Sequence, residues 1–210
     1  MADNLDRVDA EELDVFKEIG NIGAGNAATA LAGILNVQIN MEIPEVQIVP
    51  FNNIVNILNG PETLVVGLLV DMSGGLNGYI LLILEMGDAY EMACMATGKQ
   101  ARTPLDHSAI VLSELETSAL NEIANILVGS YLSAICSMTG LEIKPDVPQM
   151  AMDMVGAIMS IVAIEYGKIG ESVLFLKTQF SDVSKDLTGH FFLIPDFDSY
   201  KILMKSLGLE

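Results

Sequence analysis

Sliding the 210-residue sequence against itself by 104 positions superposes Glu12 on Glu116, Glu18 on Glu122, Asn21 on Asn125, Gly25 on Gly129, Ala30 on Ala134 and Pro44 on Pro148. Coincidences that include Asn, Gly and Pro at one fixed offset mark a duplicated unit, and a duplication confines the fold to two halves that solve the same packing problem. The helix boundaries recur as well. Asp9-x-x-Glu12 and Ser113-x-x-Glu116 both read as capping boxes, in which the cap side chain accepts an orphan N–H and the Glu reaches back to the cap. At the far end Asn36 aligns with Gly140, and these residue types best tolerate the left-handed conformation just past a helix C-terminus. The spacing predicts long helices over about residues 10–35 and 114–139.

After each long helix a short strand begins near Pro44 or Pro148, followed by a loop or short helix, most clearly helical at Val155 to Tyr166. Two strands come next in each half. They are Leu64 to Met72 with Gly78 to Leu84, turning through Ser73-Gly74-Gly75, and Ser172 to Phe180 with Gly189 to Pro195, turning through Ser181-Asp182-Val183-Ser184. Closing helices are expected near Met86 to Thr97 and Phe197 to Leu207. Asp88 and Tyr90 match Asp198 and Tyr200 at an offset of 110, so the second half has gained about six residues in its strand region. The predicted fold class is α/β of the α+β type: a single domain over 1–210 made of two pseudo-symmetric halves, 1–104 and 105–210. Each half is a long helix followed by strands and a closing helix, and both share an antiparallel or mixed sheet with the long helices on one face. Residues 99–108 connect the halves.

Composition narrows the function classes. With 51% hydrophobic residues the chain can bury a proper core. Its 28 acidic against 10 basic residues, a formal charge of -18, repel nucleic-acid phosphates and anionic membrane surfaces. Cys94 and Cys136 lie far apart in apolar helical patterns and read as buried free thiols, and His107 and His190 stand alone, so Cys/His metal ligation is not expected. The start, Met1-Ala2-Asp3-Asn4-Leu5-Asp6, lacks a basic segment followed by an apolar run, which places the protein in the cytoplasm. Ile19 to Met41 and Ile123 to Leu141 carry no charge and are long enough to span a bilayer. Their Asn, Ser and Thr content, and the absence of flanking Lys or Arg clusters, assign them to core helices instead.

On a helical wheel Leu13, Phe16, Gly20, Gly23, Ala27, Ala30 and Ile34 form the core stripe of the first helix, and Leu120, Ala124, Leu127, Tyr131, Ala134 and Met138 its counterpart. Nearly opposite, Asp14, Glu18, Asn21 and Gly25 cluster within about 60°, as do Ser118, Glu122, Asn125 and Gly129. An isolated Glu on a polar helix face is usually a solvated charge. Asn, however, is a mediocre helix former, and an amide three residues after a Glu, with a glycine four further on, gains the helix nothing. Its appearance twice in register points to a surface that meets a partner. The glycines would admit close approach of that partner or mark a close helix crossing.

A Glu and Asn pair holds no nucleophile and no base of useful intrinsic pKa, so the chemistry must be one that needs positioning, with a substrate that brings its own machinery. Gly20-Asn-Ile-Gly23-Ala-Gly25 resembles a phosphate-cradling loop but lies inside the helix pattern, follows no strand and lacks the lysine of a P-loop. Ser118 is not a triad serine, since its repeat mate is Asp14.

The pattern Asp14-x-x-x-Glu18-x-x-Asn21, then 22 residues and Pro44, recurs as Ser118-x-x-x-Glu122-x-x-Asn125, then 22 residues and Pro148. This resembles the doubled signature of the CheC, CheX and FliY phosphatases, and the likeness runs from Glu18-Ile-Gly-Asn-Ile-Gly-Ala-Gly-Asn26 through Asn125-Ile-Leu-Val-Gly-Ser-Tyr131 to Pro195-Asp-Phe-Asp-Ser-Tyr200. The CheC branch fits best, because FliY adds a peptide and a switch domain for which this chain has no room.

The resemblance implies hydrolysis of the aspartyl phosphate of phosphorylated CheY, a response regulator of chemotaxis. Glu18 with Asn21 and Glu122 with Asn125 would be the two reactive pairs, with Asp14, Ser118, Gly25, Gly129, Pro44 and Pro148 as supporting motif positions. It implies no cofactor of the chain's own, the divalent metal (Mg) and a lysine coming with CheY. It also implies a second partner, the receptor deamidase CheD. The apolar helix Val155 to Tyr166 is its expected docking surface, because Gly156, Ala157 and Ala163 leave it low enough for close approach and a change at Met159 should disturb it; the chain is expected to be a monomer. The alternative reading is an adaptor whose chief role is to bind and regulate CheD.

Overall fold

The computed structural model describes residues 10–35, 40–101, 109–165, 172–181 and 186–209. Two helices of equal length dominate it: α1 (Ala10–Leu35) and α4 (Glu114–Thr139). α4 starts where its sequence requires. Ser113 caps it in extended conformation, its hydroxyl accepting from the Glu116 N–H at 3.4 Å while the Ser113 N–H donates to Glu116 Oε2 at 2.7 Å. Gly140, at φ 71°, ends it in the left-handed conformation that costs an L side chain energy. Asp9 and Asn36, the matching signals for α1, lie outside the described residues.

Between the long helices run β1 (Asn40–Pro50), a 3-10 turn at Phe51–Asn53, the short α2 (Ile54–Ile57), β2 (Leu64–Gly74), β3 (Gly78–Glu85) and α3 (Met86–Ala96). After α4 come β4 (Ile143–Pro145), β5 (Gln149–Met154), α5 (Val155–Glu165), β6 (Ser172–Ser181), β7 (Asp186–Pro195) and α6 (Phe197–Ser206). These bounds follow the sequence reading to within a few residues, but β4 was not foreseen, and because β4 pairs with Ser73 and Gly74 the strand β2 runs through them and the hairpin turns at residues 75–77 instead; Tyr166 and the turn residues 182–184 lie outside the described residues.

The strands form one seven-stranded sheet in the order β1-β6-β7-β3-β2-β4, with β5 also on β2, and every pairing is antiparallel. The order reads alike from both ends. β3 and β7 pair at the centre, β1 pairs with β6 and β5 with β2. Pro44 falls where the β1 register shifts between Glu42 and Glu45, a place where a missing ladder N–H does least harm. Pro148 immediately precedes β5.

The sheet is covered on both faces. On one, Val70, Ile80, Leu176, Phe191 and Leu193 pack under Phe16, Ile19, Ala24, Tyr131 and Ile135 of α1 and α4. On the other, Leu81, Ile83, Phe175 and Phe192 pack against Ile54 and against Val155, Ile158, Met159 and Val162 of α5. α4 is the one described helix long and apolar enough to cross a membrane by length and composition, and half of that apolar window is buried within the fold.

The core stripe of α1 differs from the wheel at its end. Phe16, Gly20, Gly23 and Ala27 are buried as expected, whereas Ala30 and Ile34 are exposed and Ala24 and Leu31 take the buried places. Cys94 is buried, while Cys136 is only half-buried, and neither is in a disulfide.

α1 and α4 cross at Gly23. A Cβ there would stand 2.5 Å from Tyr131 Cδ1 and 3.1 Å from Tyr131 Cα, so the tyrosine occupies the space the glycine leaves. Its hydroxyl lies 3.3 Å from Thr178 Oγ1 of β6, and burial pushes the phenol up to about 12. Gly23→Ala should therefore cost about 1–3 kcal/mol by overpacking. Gly25→Ala and Gly129→Ala, with open space beyond the missing Cβ, should each stabilise by about 0.5–1 kcal/mol. Urea unfolding of the three variants checks the contrast.

Lys99 ties the chain ahead of α4 to its cap, its Nζ donating to Glu116 Oε1 at 2.9 Å. That bond first, then those from Ser113, holds the Glu116 carboxyl down at about 2. A carboxyl lowered in the folded state adds stability that is complete above its ordinary range and lost as pH falls through the folded value. Glu116→Gln should thus flatten the fall in the urea midpoint between about pH 4.5 and 2, and cost about 1 kcal/mol at neutral pH through the lost cap.

Candidate functional site

The sequence places an acid and an amide three residues apart on each long helix, where their Cβ atoms stand about 5–6 Å apart. In the fold Asp14, Glu18, Asn21 and Gly25 are all exposed along α1, and Ser118, Glu122, Asn125 and Gly129 are all exposed along α4. Each set faces away from the sheet because the opposite side of its helix is spent on the core.

The two stripes remain separate. With Gly23 level with Tyr131, the antiparallel register sets Asn125 level with residue 29, so Asn21 and Asn125 are offset by roughly 12 Å along the helices. Pro44 and Pro148 sit in and beside the outer strands rather than on the stripes.

The glycines separate into two kinds. Gly23 is the crossing point, whereas Gly25 and Gly129, two residues further round, have nothing within 4 Å of where a Cβ would stand. The crossing explanation is thereby removed for both stripe glycines. What they give the stripe is a low, open stretch of backbone one turn beyond each Asn.

Along both stripes the side chains offer carboxylates, amides and one serine hydroxyl, with no imidazole or thiol. His190 belongs to the other sheet face, stacked on Phe175 with ring centroids 5.8 Å apart, and burial holds it down at about 4. It is neutral at physiological pH and remote from the stripes. His107 lies outside the described residues. The segment Gly20 to Gly25 is helical throughout, so it cradles no phosphate in the manner of a glycine loop. Among the described residues no three His, Cys, Asp or Glu side chains are grouped to hold a metal ion. Such a surface can orient a water, accept from a cation and fit closely against a partner.

The sequence reading ended the second stripe at Ser118. Leu115, one turn earlier on the same line, is also exposed; extending the wheel by that turn would have found it.

The CheC-like family matches residues 11–48 and again residues 115–155, two stretches whose starts are 104 residues apart and which contain the two stripes. The chain is 34% identical over 200 residues to the CheY-P phosphatase CheC of Bacillus subtilis, covering 94% of each. It is 29% identical over 148 residues to the flagellar motor switch phosphatase FliY of the same organism, spanning 70% of this chain and 37% of that protein. In fold it is similar to the crystal structure of Thermotoga maritima FliY, with a TM-score of 0.76 at 20% identity over 96% of this chain and 98% of that one. A doubled acid-amide stripe, together with identity of this level along nearly the whole length, places the chain in the CheC-like family.

Proposed function

We propose that this protein is a phosphatase acting on phosphorylated CheY, hydrolysing its aspartyl phosphate at two sites, Glu18 with Asn21 and Glu122 with Asn125. The observation that carries the reading is the exposed Glu-x-x-Asn pair repeated at the same place on both long helices, beside an open glycine. The name of the Bacillus subtilis relative supports the same partner and reaction.

The chemistry suits so spare a surface. CheY supplies the aspartyl phosphate, a divalent metal and a lysine, and this chain brings no cofactor of its own. Water attacks phosphorus in line, the bond from phosphorus to the aspartyl oxygen breaks, and inorganic phosphate leaves. Acyl-phosphate hydrolysis is governed by positioning and charge rather than covalent help. The carboxamide of Asn21 or Asn125 both accepts and donates, and so holds the water in line. The carboxylate of Glu18 or Glu122 takes a charge-assisted hydrogen bond from the lysine and docks the partner. Residues 1–104 and 105–210 are, in this reading, duplicated halves of one domain with one site each, and the protein works as a monomer in the cytoplasm.

A division of labour within each pair follows. Asn21→Ala with Asn125→Ala should abolish acceleration while leaving affinity for CheY bearing a stable phosphoryl mimic within about twofold, since a water-positioning contact acts mainly in the transition state. Glu18→Ala with Glu122→Ala should weaken binding too, by about 2 kcal/mol. Equal loss of binding and rate in the Asn double variant would make Asn a docking residue and withdraw its role in positioning water.

CheD is proposed as a second partner, at α5. Met159 is buried and Gly156 packs on Pro61, so neither offers the docking surface that the sequence suggested. The helix instead presents Ile161 and Ile164, 54% and 81% exposed. Ile164→Lys should leave the fold and phosphatase rate intact and reduce CheD binding at least tenfold in calorimetry. Full-strength binding would exclude α5.

A further inference from the structure

The second stripe continues to the start of α4. Leu115, Ser118, Glu122, Asn125 and Gly129 span about 80° of the helix, and Leu115 is 60% exposed. Just ahead of the cap, Val111 is 85% exposed between the buried Ile110 and Leu112. The fold has no use for apolar side chains at either place. α4 is already capped by Ser113 and Glu116, and the first turn of a helix is where a carboxylate, not a leucine, is stabilising. The two halves part company here. The position 104 residues before Leu115 is Glu11, so the first stripe begins on an acid and the second on an apolar residue.

A single exposed leucine is ordinary on a protein surface. Leu115 differs in standing in line with the reactive pair, seven residues or roughly 10 Å along the axis from Glu122, and in following a second exposed apolar residue. A partner seated on Glu122 and Asn125 reaches that far, because an interface of standard size covers about 800 Å² on each side.

Resting on the reading that the stripes receive phosphorylated CheY, we propose that Leu115 is a specificity-determining residue of the second site, giving CheY bound there an apolar contact that the first site lacks. The two sites therefore differ in affinity for one partner although their reactive pairs are the same.

The test uses the full chain carrying Asn21→Ala, so that only the second site turns over. In that background Leu115→Glu, which installs the residue type of the first half and favours the helix start, should keep the melting temperature. It should raise KM for phosphorylated CheY about fivefold, the loss of one well-placed interface side chain, with kcat within twofold. Ile202→Glu, at an exposed apolar position of α6, controls for added charge and should leave KM where it was. If Leu115→Glu lowers the melting temperature, Leu115→Ser carries the comparison in its place. An unchanged KM, an equal rise with Ile202→Glu, or a fall in kcat alone overturns the proposal. Failure of the underlying site reading shows itself separately, as hydrolysis untouched by Asn21→Ala together with Asn125→Ala.

Discussion

The close crossing of α1 and α4 at Gly23 and Tyr131 is the contact on which the rest of the arrangement depends. No other residue type fits at Gly23 without displacing the ring or the helix. The same ring packs on Phe191 at 4.3 Å between centroids and reaches Thr178 with its hydroxyl, so one side chain locks two helices to the sheet. The repeat equivalents of this pair are Leu127 and Ala27, both buried. Ala27 and Leu127 belong to one buried cluster, so a small residue of α1 and a large one of α4 are packed together there as well. Because the crossing consumes the inner face of each helix, the polar stripes are left pointing outward, and their separation follows from where the helices meet.

Long-range strand pairing ties the sheet together. β1 finds its partner in β6 and β5 in β2, so strands before α4 and strands after it complete one another's ladders. A stripe on a helix held in this way is a rigid presentation of side chains, and fixed positioning is itself a source of catalysis. The chemistry proposed for the partner's phosphoryl group asks only that an amide and a carboxylate arrive together at a fixed spacing, which a helix supplies at i and i+3.

Much of this was legible in the sequence for reasons that are local. The capping box at Ser113 and Glu116 and the glycine at 140 state the limits of α4, and the acid-amide spacing states which residues share its outer face. What was misread involved contacts at a distance. Gly23, Gly25 and Gly129 look alike in sequence; only the approach of Tyr131 separates the crossing glycine from the open ones. Ala30 and Ile34 were assigned to the core because a wheel assumes a straight stripe, whereas the buried contacts of α1 pass through Ala24 and Leu31. α5 is apolar on every side, so periodicity could not reveal that Met159 faces inward and Ile164 outward. The ion pair from Lys99 and the pairing of β1 with β6 and of β5 with β2 join residues far apart in the chain, and no local pattern announces either.

The central claim is that this chain acts as a catalyst toward its partner and does not merely hold it. The most direct measurement follows the loss of label from phosphorylated CheY with the protein present at one tenth of its concentration. The account predicts complete decay at a rate well above the intrinsic one and proportional to the protein added, because each chain must turn over many partners. Decay at the intrinsic rate, or acceleration that stops after one equivalent, would contradict it.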